Sequence, residues 1–126
     1  MPAPRTGSIT WVDLTVSDAA TVGNFYQEVV GWTAQPVDMG THSDFSMLPP
    51  GSAQPVAGIC HARGTNADLP PQWLIYITVA DLDASLLRCK ESSGQVLSSI
   101  KTAGEGRFAV IRDPAGALCA LYQPAG

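Results

Sequence analysis

One carboxylate in the chain falls where an apolar pattern makes its presence costly. Asp13 stands in the middle of Ser8 to Val16, which alternates in the manner of a half-buried strand. Burying a carboxylate costs free energy unless the group is paired or hydrogen-bonded. Asp13 is therefore predicted either to bind a ligand or act as an acid-base group, or to form an internal ion pair or hydrogen bond. Arg107 is the candidate partner for such an ion pair.

The other reactive side chains form no recognised catalytic or metal-binding motif. The two histidines, His42 and His61, are not predicted to bind a metal or to take part in catalysis. The three cysteines, Cys60, Cys89 and Cys119, contain no Cys-x-x-Cys pair. An odd number without that spacing favours small buried hydrophobic residues over a disulfide framework or a zinc site. A serine hydrolase triad has no support either, because no serine has an evident base beside it.

Composition limits the classes of protein that fit. A chain of 126 residues is the right size for a single domain, residues 1–126. Only 14% of the residues are charged and the net charge is −4, which argues against binding to nucleic acid. No apolar run approaches the ~18 residues of a membrane span. The first residues lack the apolar segment of a signal peptide, so a reducing cytoplasm is the expected location.

A short pattern occurs twice and indicates which elements position these residues. Thr15-Val16-x-Asp18 recurs as Thr78-Val79-x-Asp81, 63 residues later. In each copy a strand precedes an aspartate that can cap a helix, and a glycine, Gly31 or Gly94, follows the helical stretch. The repeat predicts two related modules, at about residues 8–62 and 72–124, joined by a linker at about 63–71.

The elements predicted for each copy are a strand, a helix and three further strands. In the first helix Val22, Phe25, Tyr26 and Val29 have the spacing of an apolar stripe that packs on a sheet. Runs of strands after each helix predict an α+β fold. Two tandem βαβββ modules are expected to form a curved mixed sheet with the helices on its convex side.

This layout resembles the vicinal-oxygen-chelate superfamily, which includes glyoxalase I, bleomycin-resistance proteins and extradiol dioxygenases. The resemblance covers about residues 8 to 124 and is most similar to a glyoxalase-like branch. It rests on Thr15-Val-Ser-Asp18, Phe25-Tyr26, Gly31-Trp32, Thr78-Val-Ala-Asp81, Gly106-Arg-Phe108, Asp113-Pro-Ala-Gly116 and Leu121-Tyr-Gln123. It implies that the two modules together form a cup.

The resemblance also implies where metal ligands would stand. Metal-dependent members place one ligand on the first and last strand of each module. The matching positions here are Trp11, Gly58, Leu74 and Ala120, with Gly58 obtained by matching Ile59-Cys60 to Leu121-Tyr122. None of these side chains offers the nitrogen, oxygen or sulfur donor that a metal site needs. No metal and no cofactor is therefore predicted.

Residues on the implied cup face are the candidate binding residues. Their aromatic and apolar character, with a few polar groups, is usual for small-molecule pockets. The predicted ligand-binding set is Trp11, Asp13, Phe45, Met47, Cys60, Leu74, Tyr76, Arg107, Ala120 and Tyr122, with Asp13 as the candidate catalytic residue. For the aromatic and apolar members, ordinary core packing is the alternative.

Three functions are open at this point. The first is a metal-free aromatic pocket that binds a small organic molecule, as the resemblance to bleomycin-resistance proteins implies. The second is a lyase- or isomerase-type enzyme with Asp13 as general base and Tyr76 or Tyr122 as its partner. The third is a partner-binding or structural protein whose cup is filled by its own side chains. A homodimer is expected in each case, because curved sheets leave edges that a second copy can cover.

Overall fold

The computed structural model describes residues 5–125 and divides into two compact units. One comprises residues 12–73 and the other residues 5–11 and 74–125. The first four residues of the chain lie outside the described range. The helices are α1 (Ala19–Val30) and α2 (Leu82–Glu91). The strands are β1 (Ile9–Val16), β2 (Thr33–Asp38), β3 (Ser43–Leu48), β4 (Ala57–His61), β5 (Trp73–Thr78), β6 (Gln95–Val96), β7 (Lys101–Ala103), β8 (Gly106–Arg112) and β9 (Leu118–Gln123). The units are named here the α1 unit and the α2 unit after their helices.

In the α1 unit the strands follow the order β2-β3-β4-β1. Strands β1 and β4 are parallel, whereas β3 is antiparallel to both β2 and β4. The Asp18 carboxylate caps α1 by accepting the Thr21 N–H at 3.1 Å, and Gly31 ends it at φ 86°, as the sequence predicts. The helix covers a core of Leu14, Ala19, Met47 and Ile59.

The side of α1 that packs on this core differs from the predicted stripe. Val22 and Tyr26 pack against the core, but Phe25 and Val29 are 56% and 63% exposed. The buried positions of the helix are Ala19 and Gly23. The helix is therefore rotated relative to the prediction, so that Ala19, Val22, Gly23 and Tyr26 face the core and Phe25 and Val29 do not.

In the α2 unit the strands follow the order β5-β9-β8-β6, and β7 also pairs with β8. The Asp81 carboxylate caps α2 by accepting the Ala84 N–H at 3.1 Å. Leu82 and Leu86 of the helix form a core with Ala109 of β8 and Leu121 of β9. Residues before β1 also pair with β5, since the Gly7 N–H donates to the Thr78 carbonyl at 2.8 Å.

Two details of the α2 unit depart from prediction. The helix ends at Glu91 with Ser92, not Gly94, as its C-cap residue, and Ser93 takes the left-handed conformation at φ 69°. Gly94 instead allows a close approach, because a Cβ there would lie 3.0 Å from the Cys89 carbonyl oxygen and 3.1 Å from that of Arg112. Strand β7 is an element that the sequence pattern does not predict.

Each unit thus contains one helix packed on a mixed sheet, which confirms the α+β class. Among the described residues, neither helix is long or apolar enough to cross a membrane. The three cysteines are free, and each is partly buried.

Candidate functional site

The strand registers show how the two modules correspond. In the α1 unit Asp13 pairs with Gly58 across the parallel strands β1 and β4. In the α2 unit Tyr76 pairs with Ala120 across the parallel strands β5 and β9. Asp13 and Tyr76 are related by the 63-residue offset of the repeat. The alignment that matched Gly58 of the first copy with Ala120 of the second is therefore confirmed.

The face of the α1 unit that lies away from α1 is polar. One row across its strands runs from Asp13 to Gly58 and on to Ser46. The next row pairs Thr15 with Cys60. Asp13 is half-buried, and its charge acts on the Cys60 thiol. Because Gly58 has no side chain, the position between Asp13 and Ser46 in this row presents only backbone atoms.

Asp44 extends this polar face to the end of β4. It is 7% exposed, and its carboxylate accepts the His61 backbone N–H at 2.9 Å. It also accepts a hydrogen bond from the Cys60 thiol, and its Oδ1 lies 3.4 Å from His42 Nε2. A buried carboxylate is tolerated when donors surround it in this way. Asp44 thus joins β3, β4 and the turn before β3.

The chemistry of Cys60 follows from these neighbours. Burial raises the pKa of the Cys60 thiol well above its ordinary value, and the negative charges of Asp13 and Asp44 raise it further. The thiolate, not the thiol, is the nucleophilic form of cysteine. Cys60 therefore remains a neutral hydrogen-bond donor at physiological pH, and nucleophilic catalysis through it is not supported.

The matching face of the α2 unit is apolar and well filled. Leu74, Tyr76 and Ala120 are 1%, 5% and 0% exposed. The Tyr76 ring packs at 5.3 Å from that of Phe108, and Tyr122 is half-buried opposite Phe108 in the β8–β9 register. Burial of this degree is typical of core side chains. Leu74, Tyr76 and Ala120 therefore fit the packing alternative better than direct ligand contact.

Three predicted ligand-binding residues lie on helix-packed faces. Phe45 pairs with Ile59, and both it and Met47 pack in the core beneath α1, so they do not line the face that carries Asp13. Arg107 lies on the α2 side of its sheet, where its Nη2 donates to Gln123 Oε1 at 3.2 Å and to Asp83 Oδ2 at 3.4 Å. Trp11, in the α2 unit, is half-buried.

The residues of this chain do not fit the metal site that the fold family implies. At the four family ligand positions, Trp11, Gly58, Leu74 and Ala120 provide no donor. Within residues 5–125, no group of three or more His, Cys, Asp or Glu side chains is arranged to hold a metal ion. The side chains at these positions therefore give no support to a metal-assisted step.

A second polar cluster, which the sequence did not identify as a site, lies at one end of the α1 unit. The imidazole rings of His42 and His61 pack edge to face with centroids 5.4 Å apart. The Ala19 N–H, in the first turn of α1, donates to His61 Nδ1 at 3.4 Å. These two histidines and Asp44 line a cavity of about 360 Å³ together with Met39, Thr41, Arg63, Gly64 and Asn66. The only sequence signal was the spacing of His42 and Asp44 around the start of a strand.

Comparisons with known proteins agree with the fold. Residues 8–121 match the family model of the Glyoxalase/Bleomycin resistance protein/Dioxygenase superfamily. The chain is 30% identical over 122 residues to CFP32 of Mycobacterium tuberculosis, which carries a provisional glyoxylase name, covering 96% of this chain and 46% of CFP32. It is 30% identical over 133 residues to the anthracycline biosynthesis protein DnrV of Streptomyces peucetius, covering 93% of this chain and 47% of DnrV. The chain thus spans about half the length of these curated relatives.

Solved structures show the same architecture at low sequence identity. Methylmalonyl-CoA epimerase of Mycobacterium tuberculosis is similar with a TM-score of 0.57 and 19% identity, covering 100% of this chain and 94% of the epimerase. A methylmalonyl-CoA epimerase in complex with methylmalonyl-CoA and NH4+ is similar with the same TM-score and 15% identity, covering 97% of each chain. The family-model match covers most of the chain, and the described fold agrees with it. The chain belongs to the glyoxalase/bleomycin resistance protein/dioxygenase superfamily.

Proposed function

We propose that this chain binds a small organic molecule through the polar face of the α1 unit and that it does so without a metal ion. The observation that carries the proposal is the row in which Asp13, half-buried in mid-strand, stands beside Gly58. A carboxylate beside a residue without a side chain can orient a polar group of a ligand, while the Gly58 backbone forms the floor beneath it.

The neighbouring groups support binding more directly than catalysis. Cys60 is a neutral donor, and Asp44 is an acceptor whose carboxylate is already engaged by β4. Because the Cys60 thiol donates to Asp44, the two side chains hold each other in place and keep this part of the polar face in one arrangement. Three aromatic residues of the predicted pocket, Trp11, Tyr76 and Tyr122, belong to the α2 unit, and Phe45 packs in the core beneath α1, so this proposal requires none of them.

The second candidate function is an enzyme in which Asp13 acts as general base. The position of Asp13 favours it, because a carboxylate held on a strand can accept a proton from a bound substrate. The solved epimerase whose complex contains methylmalonyl-CoA shows that the fold accommodates a CoA ester in that protein. For this chain, we infer proton abstraction next to a carbonyl group as the reaction class. A homodimer and a cytoplasmic location stay predictions.

The proposal is tested by ligand-observed NMR on protein freed of metal with a chelator. The probes are a panel of small organic acids, ketones and aromatic compounds. At least one is expected to bind, and Asp13→Asn should weaken that binding about 10-fold or more, as loss of a charged hydrogen-bond partner predicts. Asp68→Asn is the matched control, since Asp68 is exposed in the same unit. Unchanged binding in Asp13→Asn would contradict the proposal.

Two further measurements separate the alternatives. Deuterium incorporation from D2O next to the carbonyl of a small acyl thioester, lost in Asp13→Asn, would favour the enzyme over the binding protein. Thermal stabilisation that saturates at micromolar Ni²⁺, Zn²⁺, Mn²⁺ or Fe²⁺ and disappears in Asp13→Asn would refute the metal-free proposal.

A further inference from the structure

A polar cavity lies at the end of the α1 unit where Asp44 extends the polar face, and Asp13 is not among the residues that line it. Its volume is about 360 Å³, within the range of small-molecule pockets. Four segments line it: the turn between β2 and β3, the start of β3, the end of β4, and the segment after β4 that includes the 3₁₀ turn Gly64–Asn66. The walls therefore come from parts of the chain that are up to 27 residues apart in sequence, from Met39 to Asn66.

The side chains on one wall are held in place by hydrogen bonds. His42 Nδ1 and Thr41 Oγ1 are hydrogen-bonded at 3.0 Å, and the other ring nitrogen of His42 lies 3.4 Å from Asp44 Oδ1. The turn itself is closed by the Met39 N–H, which donates to the His42 carbonyl at 2.8 Å. A pocket wall ordered before binding loses less conformational entropy when a ligand arrives.

The His61 side chain, whose ring packs against that of His42, is also fixed by a hydrogen bond. The Ala19 N–H donates to its Nδ1, so in the neutral ring the proton resides on Nε2 and makes this atom a donor. Its backbone N–H is used by Asp44. The imidazole therefore has a defined tautomer while it lines the cavity.

Arg63 provides a positive charge at the site. It is exposed at the cavity, and no hydrogen bond or ion pair joins its guanidinium to another side chain in the part of the chain that the structure describes. Half-buried Asn66 adds an amide beside it. Asp44 is the acidic residue of the lining, and its carboxylate is already engaged by His61, His42 and Cys60. The groups left for a ligand are thus mainly donors.

We propose that this cavity binds a small molecule through a carboxylate or phosphate group, with Arg63 as the principal anchor. The planar guanidinium matches the two oxygens of such a group in a bidentate arrangement. His61 and Asn66 contribute further donors. The proposal does not depend on the function assigned to Asp13.

The experiment is a ¹H–¹⁵N NMR titration of the whole chain with succinate in one arm and inorganic phosphate in the other. Saturable shifts are expected at the amides of residues 61–66 in at least one arm. Saturation in the succinate arm alone assigns a carboxylate ligand, and saturation in the phosphate arm alone assigns a phosphate ligand. Saturation in both identifies the anionic group itself as the feature recognised.

Substitutions locate the anchor. Arg63→Gln should weaken binding at least about 10-fold, because it removes a charge-assisted contact. Arg88→Gln is the matched control, since it removes an equal charge from the exposed end of α2. Asp13→Asn should leave the anion affinity unchanged, which separates this site from the proposed ligand site on the sheet. The proposal is overturned if neither succinate nor phosphate binds with a dissociation constant of about 1 mM or lower. It is also overturned if Arg63→Gln and the unsubstituted chain bind the anion with equal affinity.

Discussion

Two rows of paired residues occur at matching positions of the sheet in both units of this chain. The rows are polar in the α1 unit and mostly apolar in the α2 unit. In the α1 unit Asp13, Gly58 and Ser46 form one row, with Thr15 and Cys60 in the next. In the α2 unit the matching rows are Tyr76 with Ala120 and Val110, followed by Thr78 with Tyr122 and Phe108. The backbone register is repeated, but an acid and a glycine stand where the other copy has an aromatic ring and an alanine.

This difference indicates how the two copies divide their roles. The row in the α2 unit is closed by side chains, since Tyr76, Ala120 and Val110 are 5%, 0% and 1% exposed. Its contribution is therefore to stability. The row in the α1 unit carries a half-buried carboxylate beside a glycine, so it presents a polar group where the α2 unit presents a buried ring. The repeated register thus carries a polar face in one unit and an apolar, filled face in the other.

The largest effect that would test this division comes from Tyr76. Tyr76→Ala should lower the free energy of unfolding by about 3–5 kcal/mol, because it removes a buried ring and leaves a cavity beside Phe108. Urea unfolding followed by circular dichroism measures this change. Asp13→Asn at the matching position should cost clearly less.

A control and a contrary outcome complete the test. Leu87→Ala removes an apolar side chain that is 58% exposed on α2 and should change stability by no more than about 0.5 kcal/mol. If Asp13→Asn destabilises the chain as much as Tyr76→Ala does, Asp13 has a structural role, and the contrast between the units fails.

The helix N-caps and the match of Gly58 with Ala120 were the parts of the fold most predictable from sequence. Asp18 and Asp81 are local signals, since each caps a helix within three residues of itself. The correspondence of Gly58 with Ala120 was also predictable, because the repeat supplied a second copy against which to align β4. Local capping signals and the internal repeat therefore made these parts of the architecture predictable.

The faces of side chains were harder to predict. Phe45 and Met47 share a face of their strand, and the sequence pattern assigns that face to the pocket. The side of the sheet on which this face lies depends on the pairing of Phe45 with Ile59 on β4. A shift of one residue in register moves a side chain to the opposite side of a sheet. Asp44 was missed because its partners, His61 and Cys60, lie 17 and 16 residues away in sequence. Contacts of this range leave no periodic signal.

Two glycines, one from each unit, provide a smaller and sharper comparison. An alanine Cβ at position 106 would lie 2.6 Å from Tyr122 Cζ and 2.7 Å from its Cε1, so the ring would have to move. Gly106→Ala should therefore cost about 1–3 kcal/mol, as overpacking does. In α1, a Cβ at Gly23 would meet only the Ala34 Cβ at 4.0 Å. Gly23→Ala should stabilise the chain by about 0.5–1 kcal/mol, because glycine is unfavourable within a helix.

Opposite signs for these two substitutions are the expected result in thermal unfolding followed by calorimetry. Equal destabilisation by both would mean that the α1 unit is packed as tightly at Gly23 as the α2 unit is at Gly106. The contrast between a closely filled α2 face and a more open α1 unit would then be lost.

The smallest predicted effect compares the two helix caps through their response to acid. Asp18 accepts both the Thr21 N–H and, at 2.7 Å, the Thr21 hydroxyl, whereas Asp81 faces an alanine, Ala84, at the matching position. The hydroxyl bond is the main cause that lowers the pKa of Asp18 from its ordinary value of 3.8, and the Thr21 backbone N–H lowers it further.

A lowered pKa in the folded chain means that Asp18 stabilises the fold above about pH 4 and loses this effect as the pH falls through its folded pKa. Thr21→Ala removes the hydroxyl and brings the folded pKa closer to the unfolded one. Its stability penalty should therefore be largest near pH 7 and should shrink below about pH 4, as measured by urea unfolding across that range. Thr21→Ser keeps a hydroxyl and should retain most of the pH dependence. A Thr21→Ala penalty that is the same at every pH would show that threonine acts at this cap through packing. The Thr21 hydroxyl would then not be the cause of the lowered pKa of Asp18.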